Sequence, residues 1–447
     1  MSQLLRLLKK AKNSIFSMML AAFFVLYLGN FTSHPQTVSD FDSEKSTQMV
    51  TTIENTWEGA YENYFGEDFV NLSLTSSQIA DKLSQMSQET GTKPAVIWAL
   101  PQPESLKLLL ITSKNKPQGW SITAANQETL VQVVEQFHRE ITDTFQVAIG
   151  STSYLSSAQL LYQWIISPLE LTLETENIDT LILCVGPGLR SLPFPALHDG
   201  ERFLIEKYSY TRIPAFNLTD ISYSDLRDAQ VLAMGASEFT NHPPLPGVEV
   251  ELQTIIPQPW EGVAILNEGF TVENLIEQRK KEGFEIVHLA THAEFLPGNP
   301  SNSYIQFADT QLSLAEINQL NWSNPRVELL VLSACKTALG NVQAELGFAG
   351  VALQSGVKSV LASLWAVSDA GTVPLMSEFY QHLKTASTKA EALKLAQLAM
   401  LKQQVRLEEG ELQNSRDSVS LPLKLPNQQK LSHPYYWAGF SLIGSPW

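Results

Sequence analysis

The second half of the chain alternates short, continuous apolar runs with longer amphipathic segments. Uninterrupted hydrophobicity over four to eight residues is typical of strands that helices cover on both faces. Helices are predicted between the runs, at 248–256, 345–355, 372–383 and 389–402. This succession predicts an α/β fold with a doubly wound, mostly parallel sheet flanked by helices. The apolar runs are Leu181–Val185, Val231–Met234, Val263–Leu266, Ile286–Ala290, Leu329–Leu332, Val360–Val367 and Phe440–Ile443.

The residues before this half have a different pattern. Residues 49–90 have helical spacing of their aromatic residues, and two apolar runs between 94 and 123 flank a proline-containing turn, which predicts a hairpin. Helices follow near 131–141 and 158–173. We therefore predict a smaller α+β region over residues 49–150 that precedes the main domain over residues 151–447.

The N-terminus has the pattern of a signal or anchor segment. Within residues 1–29, four basic residues up to Lys12 precede an apolar stretch from Ile15 to Leu28, without a small-x-small cleavage site after it. Residues 30–48 are polar and are predicted to form a linker. Residues 40–68 carry eight acidic residues against Lys45 alone. This asymmetry predicts a cytoplasmic N-terminus, membrane association through the segment, and a body exported from the cytoplasm. A cytoplasmic protein with a buried first helix is the alternative.

Charge and cysteine content exclude several classes of function. The 447 residues carry a net charge of −16, and no basic cluster follows the first dozen residues, so nucleic acid is not an expected partner. Two cysteines cannot build a disulfide framework. The cysteines and histidines lack metal-ligand spacing, so neither a metal nor a cofactor is expected. Basic substrates or partners would be attracted to the acidic body.

Two of the apolar runs end on residues that can carry out nucleophilic catalysis. The run from Glu285 leads to His292, and the run from Leu329 leads to Cys335. Parallel strands in an open α/β sheet present their carboxyl ends at one edge, where reacting groups lie. If the strands are neighbours, His292 can activate the Cys335 thiol and later protonate the leaving amine. The backbone N–H groups of Ala293 and Cys335 are candidate donors to an oxyanion. His288, deeper in the strand, is interpreted as structural.

Sequence blocks along most of the chain resemble a known family. HLATHAEF at His288–Phe295 and LLVLSACKTALG at Leu329–Gly340 are similar to the two signature blocks of CHAT-domain proteins, a bacterial branch of the caspase-like peptidases. Further blocks in the same order extend the resemblance over at least residues 155–447. They are GPGLRSLPFPALHDG at 186–200, FLIEKYSYTRIPAF at 203–216, LPGVEVEL at 245–252, SVLASLWAVSDAGT at 359–372 and HPYYWAGFSLIG at 433–444.

The resemblance implies a caspase-like cysteine endopeptidase that acts on protein or peptide substrates. It makes Cys335 the nucleophile and His292 the general acid/base, and it suggests Asp369 as the acid that reads a basic P1 side chain. Asp369 also precedes a predicted helix, where Asp is a favoured N-cap, so both interpretations stay open. Two alternatives to a constitutive peptidase also remain. One is a non-catalytic scaffold or signalling module, and the other is a peptidase held latent until a protein partner acts, with residues 336–345 as the controlling loop.

Overall fold

The computed structural model describes residues 38–69, 73–114, 116–338, 340–408, 411–413, 418–420 and 431–447. Its strands are β1 Val38–Phe41, β2 Pro94–Gln102, β3 Ser105–Thr112, β4 Gln118–Ile122, β5 Thr180–Val185, β6 Ser209–Ile213, β7 Val231–Gly235, β8 Gly262–Leu266, β9 Ile286–Phe295, β10 Tyr304–Gln306, β11 Gln311–Ser313, β12 Leu329–Thr337, β13 Ser359–Ser363, β14 Arg406–Glu408, β15 Glu411–Gln413, β16 Ser418–Ser420 and β17 Phe440–Gly444. Its α-helices are α1 Ser43–Phe65, α2 Ser76–Thr90, α3 Gln127–Thr142, α4 Thr144–Ala148, α5 Leu155–Ile165, α6 Glu170–Thr175, α7 Leu204–Lys207, α8 Val248–Ile255, α9 Val272–Lys281, α10 Val342–Ala349, α11 Val351–Ser355, α12 Asp369–Leu383 and α13 Lys389–Leu401.

The central sheet runs in the order β4-β3-β2-β5-β6-β17-β13-β12-β9. Strand β9 pairs with β7 along its first half and with β10 along its second half, and β7 pairs in turn with β8. Neighbours are parallel in the series β2-β5-β6-β17 and β13-β12-β9-β7-β8. The β2-β3-β4 meander and the β13-β17 pair are antiparallel. The sheet is mixed and mostly parallel with flanking helices, so the predicted fold class is confirmed.

Successive residues of the central strands enter two different cores, which shows that both faces of the sheet are covered. In β2, Ile97 belongs to one cluster of buried side chains and Trp98 to the other. In β5, Leu183 and Cys184 divide in the same way. Because strands of this kind are apolar on both faces, their sequences lack polar alternation. Cys184 is fully buried among these side chains, and burial raises the pKa of its thiol well above the usual range.

A buried carboxylate joins the first helix to this sheet. Glu54 of α1 accepts hydrogen bonds from the indole Nε1 of Trp98 at 2.7 Å and from the backbone N–H groups of Phe216 at 3.1 Å and Asn217 at 2.9 Å. Burial raises the pKa of Glu54, and these three donors oppose that effect. The β2-β5 ladder also carries the sheet across the boundary that we predict between residues 150 and 151. That domain boundary stays a prediction.

One feature of the N-terminal half differs from the sequence-based expectation. Helix α1 begins at Ser43, inside the predicted linker 30–48, because Asp42 caps it by accepting the N–H of Lys45 at 2.8 Å. The linker prediction is therefore wrong for residues 43–48. The predicted signal or anchor segment, residues 1–29, lies outside the described residues. Among the residues that are described, no helix is long and apolar enough to cross a membrane.

Strand β6 is absent from the prediction because polar residues and the charged Arg212 interrupt its apolar pattern. Arg212 is buried in the sheet, where its guanidinium donates to the carbonyl oxygens of Arg190 at 2.8 Å and of Leu192, and to Ser441 Oγ at 2.7 Å. Burying an arginine is tolerated only when its donors find such acceptors. A hydrophobic pattern therefore does not reveal this strand.

We predict that Glu54→Ala lowers the free energy of unfolding by about 3 kcal/mol or more, because three buried donors lose their acceptor. The measurement is urea unfolding followed by tryptophan fluorescence. Glu44→Ala, at an exposed position of the same helix, is the matched control and should change stability by less than about 0.5 kcal/mol. Equal effects of the two substitutions would contradict the structural role of Glu54.

Candidate active site

His292 and Cys335 lie on neighbouring parallel strands, β9 and β12, as the sequence predicts. Up to the pair Leu332–Leu289, residues that face each other across the two strands are 43 positions apart. An irregularity after Leu332 changes this offset to 42. Because His292 and Cys335 are themselves 43 positions apart, the change places Cys335 opposite Ala293 rather than opposite His292.

The changed offset sends the two side chains to opposite faces of the sheet. Ala334 is the partner of His292, partners in a ladder share a face, and successive residues alternate between faces. Exposure follows the same alternation, since His292 and Lys336 reach solvent whereas Ala293 and Cys335 are buried. The structure brings the two strands together, but it does not bring the imidazole and the thiol into contact.

The thiol of Cys335 is enclosed in the core. The side chain is fully buried, and its Sγ donates to the carbonyl oxygen of Leu332 at 3.3 Å. Phe295, which shares this face, packs edge-to-face against Phe348 of α10 with ring centroids 5.5 Å apart. Burial raises the pKa of the Cys335 thiol to about 12. In this conformation the sulfur is therefore a neutral thiol at neutral pH rather than the nucleophilic thiolate.

His292 is covered by the segment 237–246, which connects β7 to α8. Its Nε2 lies 2.8 Å from the carbonyl oxygen of Pro243, and because a carbonyl only accepts, Nε2 carries the proton in this contact. The ring of His242 stacks on that of His292 at 5.0 Å, and the ring of Phe239 meets it edge-on at 5.0 Å. Burial lowers the pKa of His292, and the neighbouring His242 acts in the same direction. The imidazole thus hydrogen-bonds to this segment and packs against its rings, and it does not face the Cys335 thiol.

The sequence does not reveal this cover. Phe239, His242 and Pro243 lie in a polar, proline-rich stretch whose pattern indicates only a loop. Their role arises from the position of that loop over the end of β9, which is a tertiary feature. The one available signal is a histidine and an aromatic residue in the connection that follows an inner strand, a place where open α/β sheets carry functional groups.

The predicted oxyanion donors, the N–H groups of Ala293 and Cys335, lie inside strand ladders. Strand β9 continues to Phe295 and β12 to Thr337, so the predicted strand ends at His292 and Cys335 are wrong. The longer ends are held by hydrogen bonds, with the N–H of Thr337 donating to the Leu364 carbonyl at 3.2 Å and that of Ala338 to the Phe295 carbonyl at 2.9 Å. Donors in a ladder serve the sheet and do not form a turn around a substrate oxygen.

Asp369, the candidate for reading a basic P1 side chain, is the first residue of α12. The N-cap of this helix is Ser368, so the interpretation of Asp369 as the N-cap is wrong by one residue. Its Oδ2 accepts the backbone N–H of Gly247 at 2.8 Å. Partial burial raises the pKa of Asp369, the Gly247 contact opposes this, and the nearby Glu251 adds to it. The carboxylate thus holds the end of the segment that covers His292.

His288 is structural, as predicted. It is fully buried, with Nδ1 3.1 Å from the hydroxyl of Tyr380 in α12 and Nε2 3.0 Å from a carboxylate oxygen of Glu251 in α8. These contacts tie two helices to β9 beneath the candidate site. Buried polar networks of this kind fix the relative position of the elements that they join.

Comparisons with known proteins found a matching family model and several similar solved structures. A family model described as CHAT domain matches residues 155–445. The fold is similar to the separase of the Saccharomyces cerevisiae separase-securin complex, at 12% identity and a TM-score of 0.46, over 83% of this chain and 31% of that chain. It is also similar to Porphyromonas gingivalis RgpB in a complex of its pro- and mature domains, at 11% identity and a TM-score of 0.38, over 72% of this chain and 77% of that chain. The chain thus spans about a third of the length of the separase chain. The search of curated protein sequences found no match.

We predict that Cys335 in the folded Cys184→Ala variant reacts with iodoacetamide roughly a thousandfold more slowly at pH 7.5 than a free thiol with a pKa of about 8.5. The reason is that a pKa of about 12 leaves very little thiolate. Its rate should rise about tenfold for each pH unit, because thiolate accumulates as the pH approaches the pKa. Mass spectrometry of the alkylated chain gives the rate, and the chain unfolded in urea is the control. A folded rate equal to the unfolded one would refute the enclosed thiol.

Proposed function

Since the chain belongs to the CHAT-domain family, we propose that it is a caspase-like cysteine endopeptidase, latent in the register that β9 and β12 adopt. The observation that supports this most is that His292 and Cys335 lie on neighbouring parallel strands and are separated by the same 43 positions that relate the paired residues before the irregularity. If that offset continued, the two residues would be direct partners on one face of the sheet.

In the proposed reaction, His292 takes the proton of the Cys335 thiol, and the thiolate sulfur attacks the carbonyl carbon of a peptide bond. In the proposed activated state, where the chain after Cys335 has left the sheet, the backbone N–H groups of Ala293 and Cys335 stabilise the resulting oxyanion. The C–N bond breaks as His292 protonates the leaving amine, which leaves a thioester on Cys335. A water molecule, deprotonated by His292, then attacks the thioester, releases the new carboxyl end and restores the thiol.

Activation in this proposal is a one-residue change of register at the end of β12. Bringing Cys335 to the His292 face would turn the next residue, Lys336, toward the core, which is costly for a charged side chain. The chain after Cys335 must therefore leave the sheet and break the hydrogen bonds of Thr337 and Ala338. This freed stretch is the beginning of the predicted controlling loop, residues 336–345, whose last residues, from Val342 onward, lie in α10. The segment 237–246 must also release His292.

The proposed substrates are proteins or peptides with a basic P1 residue. The net charge of −16 favours approach of basic segments. Asp369 adjoins the end of the 237–246 segment, so displacement of that segment would remove the Gly247 contact and free the carboxylate. In this proposal, an activating protein partner displaces the 237–246 segment and the chain after Cys335.

The alternative is a non-catalytic scaffold or signalling module with the same fold. The burial of Cys335 and its position on the face opposite His292 favour this alternative. In a scaffold the imidazole and the thiol never meet, so the two functions differ in one measurable property, the reactivity of Cys335 once the cover over His292 is loosened.

We predict that a variant in which both segments are loosened reacts covalently at Cys335 with electrophilic peptides that carry Arg at P1. It combines Phe239→Ala and His242→Ala at the cover with Ala338→Pro, which removes the N–H that donates to the Phe295 carbonyl. Adding Cys335→Ala should abolish the labelling, and adding His292→Ala should slow it by about a hundredfold or more. The matched controls add Cys184→Ala or His382→Ala to the same variant. Each should leave the rate of labelling at Cys335 unchanged. Labelling that does not depend on Cys335 would favour the scaffold, as would its absence under every condition tested.

We further predict that Asp369→Ala in the same background abolishes labelling by Arg-P1 peptides and preserves alkylation of Cys335 by iodoacetamide, because only recognition of the basic side chain is lost. Peptides with Asp at P1 serve as the comparison. Unchanged labelling by Arg-P1 peptides would remove Asp369 from the proposed specificity site.

A further inference from the structure

A cavity of about 360 Å³ lies between α3, the turn at 187–191 and the beginning of α10. We call it the α3–α10 cavity. Its volume is within the range of sites that hold small molecules or single side chains. Gly340, Val342 and Glu345, which follow Cys335 in the chain, form part of its wall. The cavity is thus separate from His292 but shares a segment with the region that must move to free Cys335.

Four apolar side chains line the α3–α10 cavity beside its polar residues. Val131 and Val134 of α3 face it from one side, and Pro187 and Val342 contribute from the other. Val342 is 48% exposed at the mouth. Walls of this kind favour an apolar stem, which gains free energy as it leaves water.

Polar groups in the cavity have unused hydrogen-bonding capacity. His138 is only 5% exposed, and its ring nitrogens form no hydrogen bond of standard geometry among the described residues. Burial lowers the pKa of His138 to about 4, a contact with the backbone of Ser191 opposes this effect, and the nearby Arg212 adds to it. The ring is therefore neutral at neutral pH and offers one acceptor nitrogen. A buried acceptor without a full hydrogen bond is rare in folded proteins.

The carboxylate of Glu345 supplies the charge. It accepts the N–H of Gly188 at 2.9 Å and the hydroxyl of Ser191 at 2.7 Å, which leaves acceptor positions on both oxygens. No Lys or Arg of the described chain forms an ion pair with it. At the rim, the opposite charges of Glu135 and Arg139 are 3.7 Å apart and offset each other. Glu345 is therefore the lining carboxylate without an ion pair among the described residues, and the buried Arg212 acts on it electrostatically from a greater distance.

We propose that the α3–α10 cavity binds an aliphatic cation, an ammonium or guanidinium group on a short apolar stem. The stem packs against Val131, Val134 and Val342, and the cationic head donates to Glu345 and to the acceptor nitrogen of His138. A free amine and the Lys or Arg side chain of a protein partner share this chemistry.

A ligand in the cavity would also affect release of the chain after Cys335, an inference that rests on the proposed function. A ligand held by α3 and Glu345 contacts Gly340 and Val342, which continue directly from Thr337 and Ala338. A group inserted there competes with the contacts that keep the end of β12 in the sheet. We expect it to favour release of the chain after Cys335.

Isothermal titration of the full chain with agmatine and with n-butylammonium tests the binding. Pentan-1-ol and valerate, which have a similar stem without the positive charge, should bind at least tenfold more weakly. Glu345→Gln should weaken amine binding at least tenfold. Val342→Phe, which narrows the mouth at an exposed position and therefore spares the fold, should have a similar effect. Glu128→Gln, an exposed residue of α3 outside the cavity lining, should leave the affinity unchanged.

The proposed site would be overturned if the Val342→Phe variant bound the amines as tightly as the unsubstituted chain. It would also be overturned if Glu128→Gln weakened amine binding as much as Glu345→Gln does, because the amines would then bind to the acidic surface in general. Blocked peptides with a single Lys or Arg form the second arm, and tighter binding of these peptides than of the free amines would identify a protein as the source. Iodoacetamide alkylation of Cys335 in the Cys184→Ala variant, with and without agmatine, tests the coupling. At least a tenfold acceleration is expected, and binding without acceleration would remove the link to Cys335 even if the peptidase proposal holds.

Discussion

The pairing of β9 with β12 is the constraint on which the chemistry of this protein depends. A strand pair fixes which side chains share a face, and a shift of one residue exchanges the two faces. Before the irregularity, paired residues are 43 positions apart, and after it they are 42 apart. The same two residues, His292 and Cys335, are therefore potential catalytic partners in one register and residues on opposite faces in the other.

The register with the offset of 42 is supported from several directions. Cys335 and Phe295 bury their side chains, and Lys336 stays in solvent. Hydrogen bonds extend both strands beyond the residues that would react. On the other face, His242 and Pro243 occupy the imidazole of His292. Loss of any one contact would be a small perturbation, so a switch of register requires that the two segments, 237–246 and the chain after Cys335, are displaced together.

The fold was largely predictable, and the state of the candidate site was not. Continuous apolar runs located the inner strands, and the rule that parallel strands present one common edge placed His292 and Cys335 on neighbouring strands. The register was not predicted because the inner parts of β9 and β12 are apolar on both faces and the irregularity after Leu332 exchanges the faces at the strand end. The one sequence signal is the polar and apolar alternation from His292 to Phe295, which matches the observed exposure. The cover over His292 depends on where a loop lies in space. Strand β6 was missed because Arg212 interrupts its pattern and finds its acceptors only in the folded sheet.

The most direct measurement is a structure of the chain after Cys335 has been labelled by an electrophilic peptide with Arg at P1. We expect Cys335 opposite His292, the offset of 43 continued to the end of β12, and residues 336–338 released from the sheet. A labelled Cys335 that still lies opposite Ala293, with its hydrogen bonds around Thr337 intact, would contradict the register change and with it the proposed form of latency.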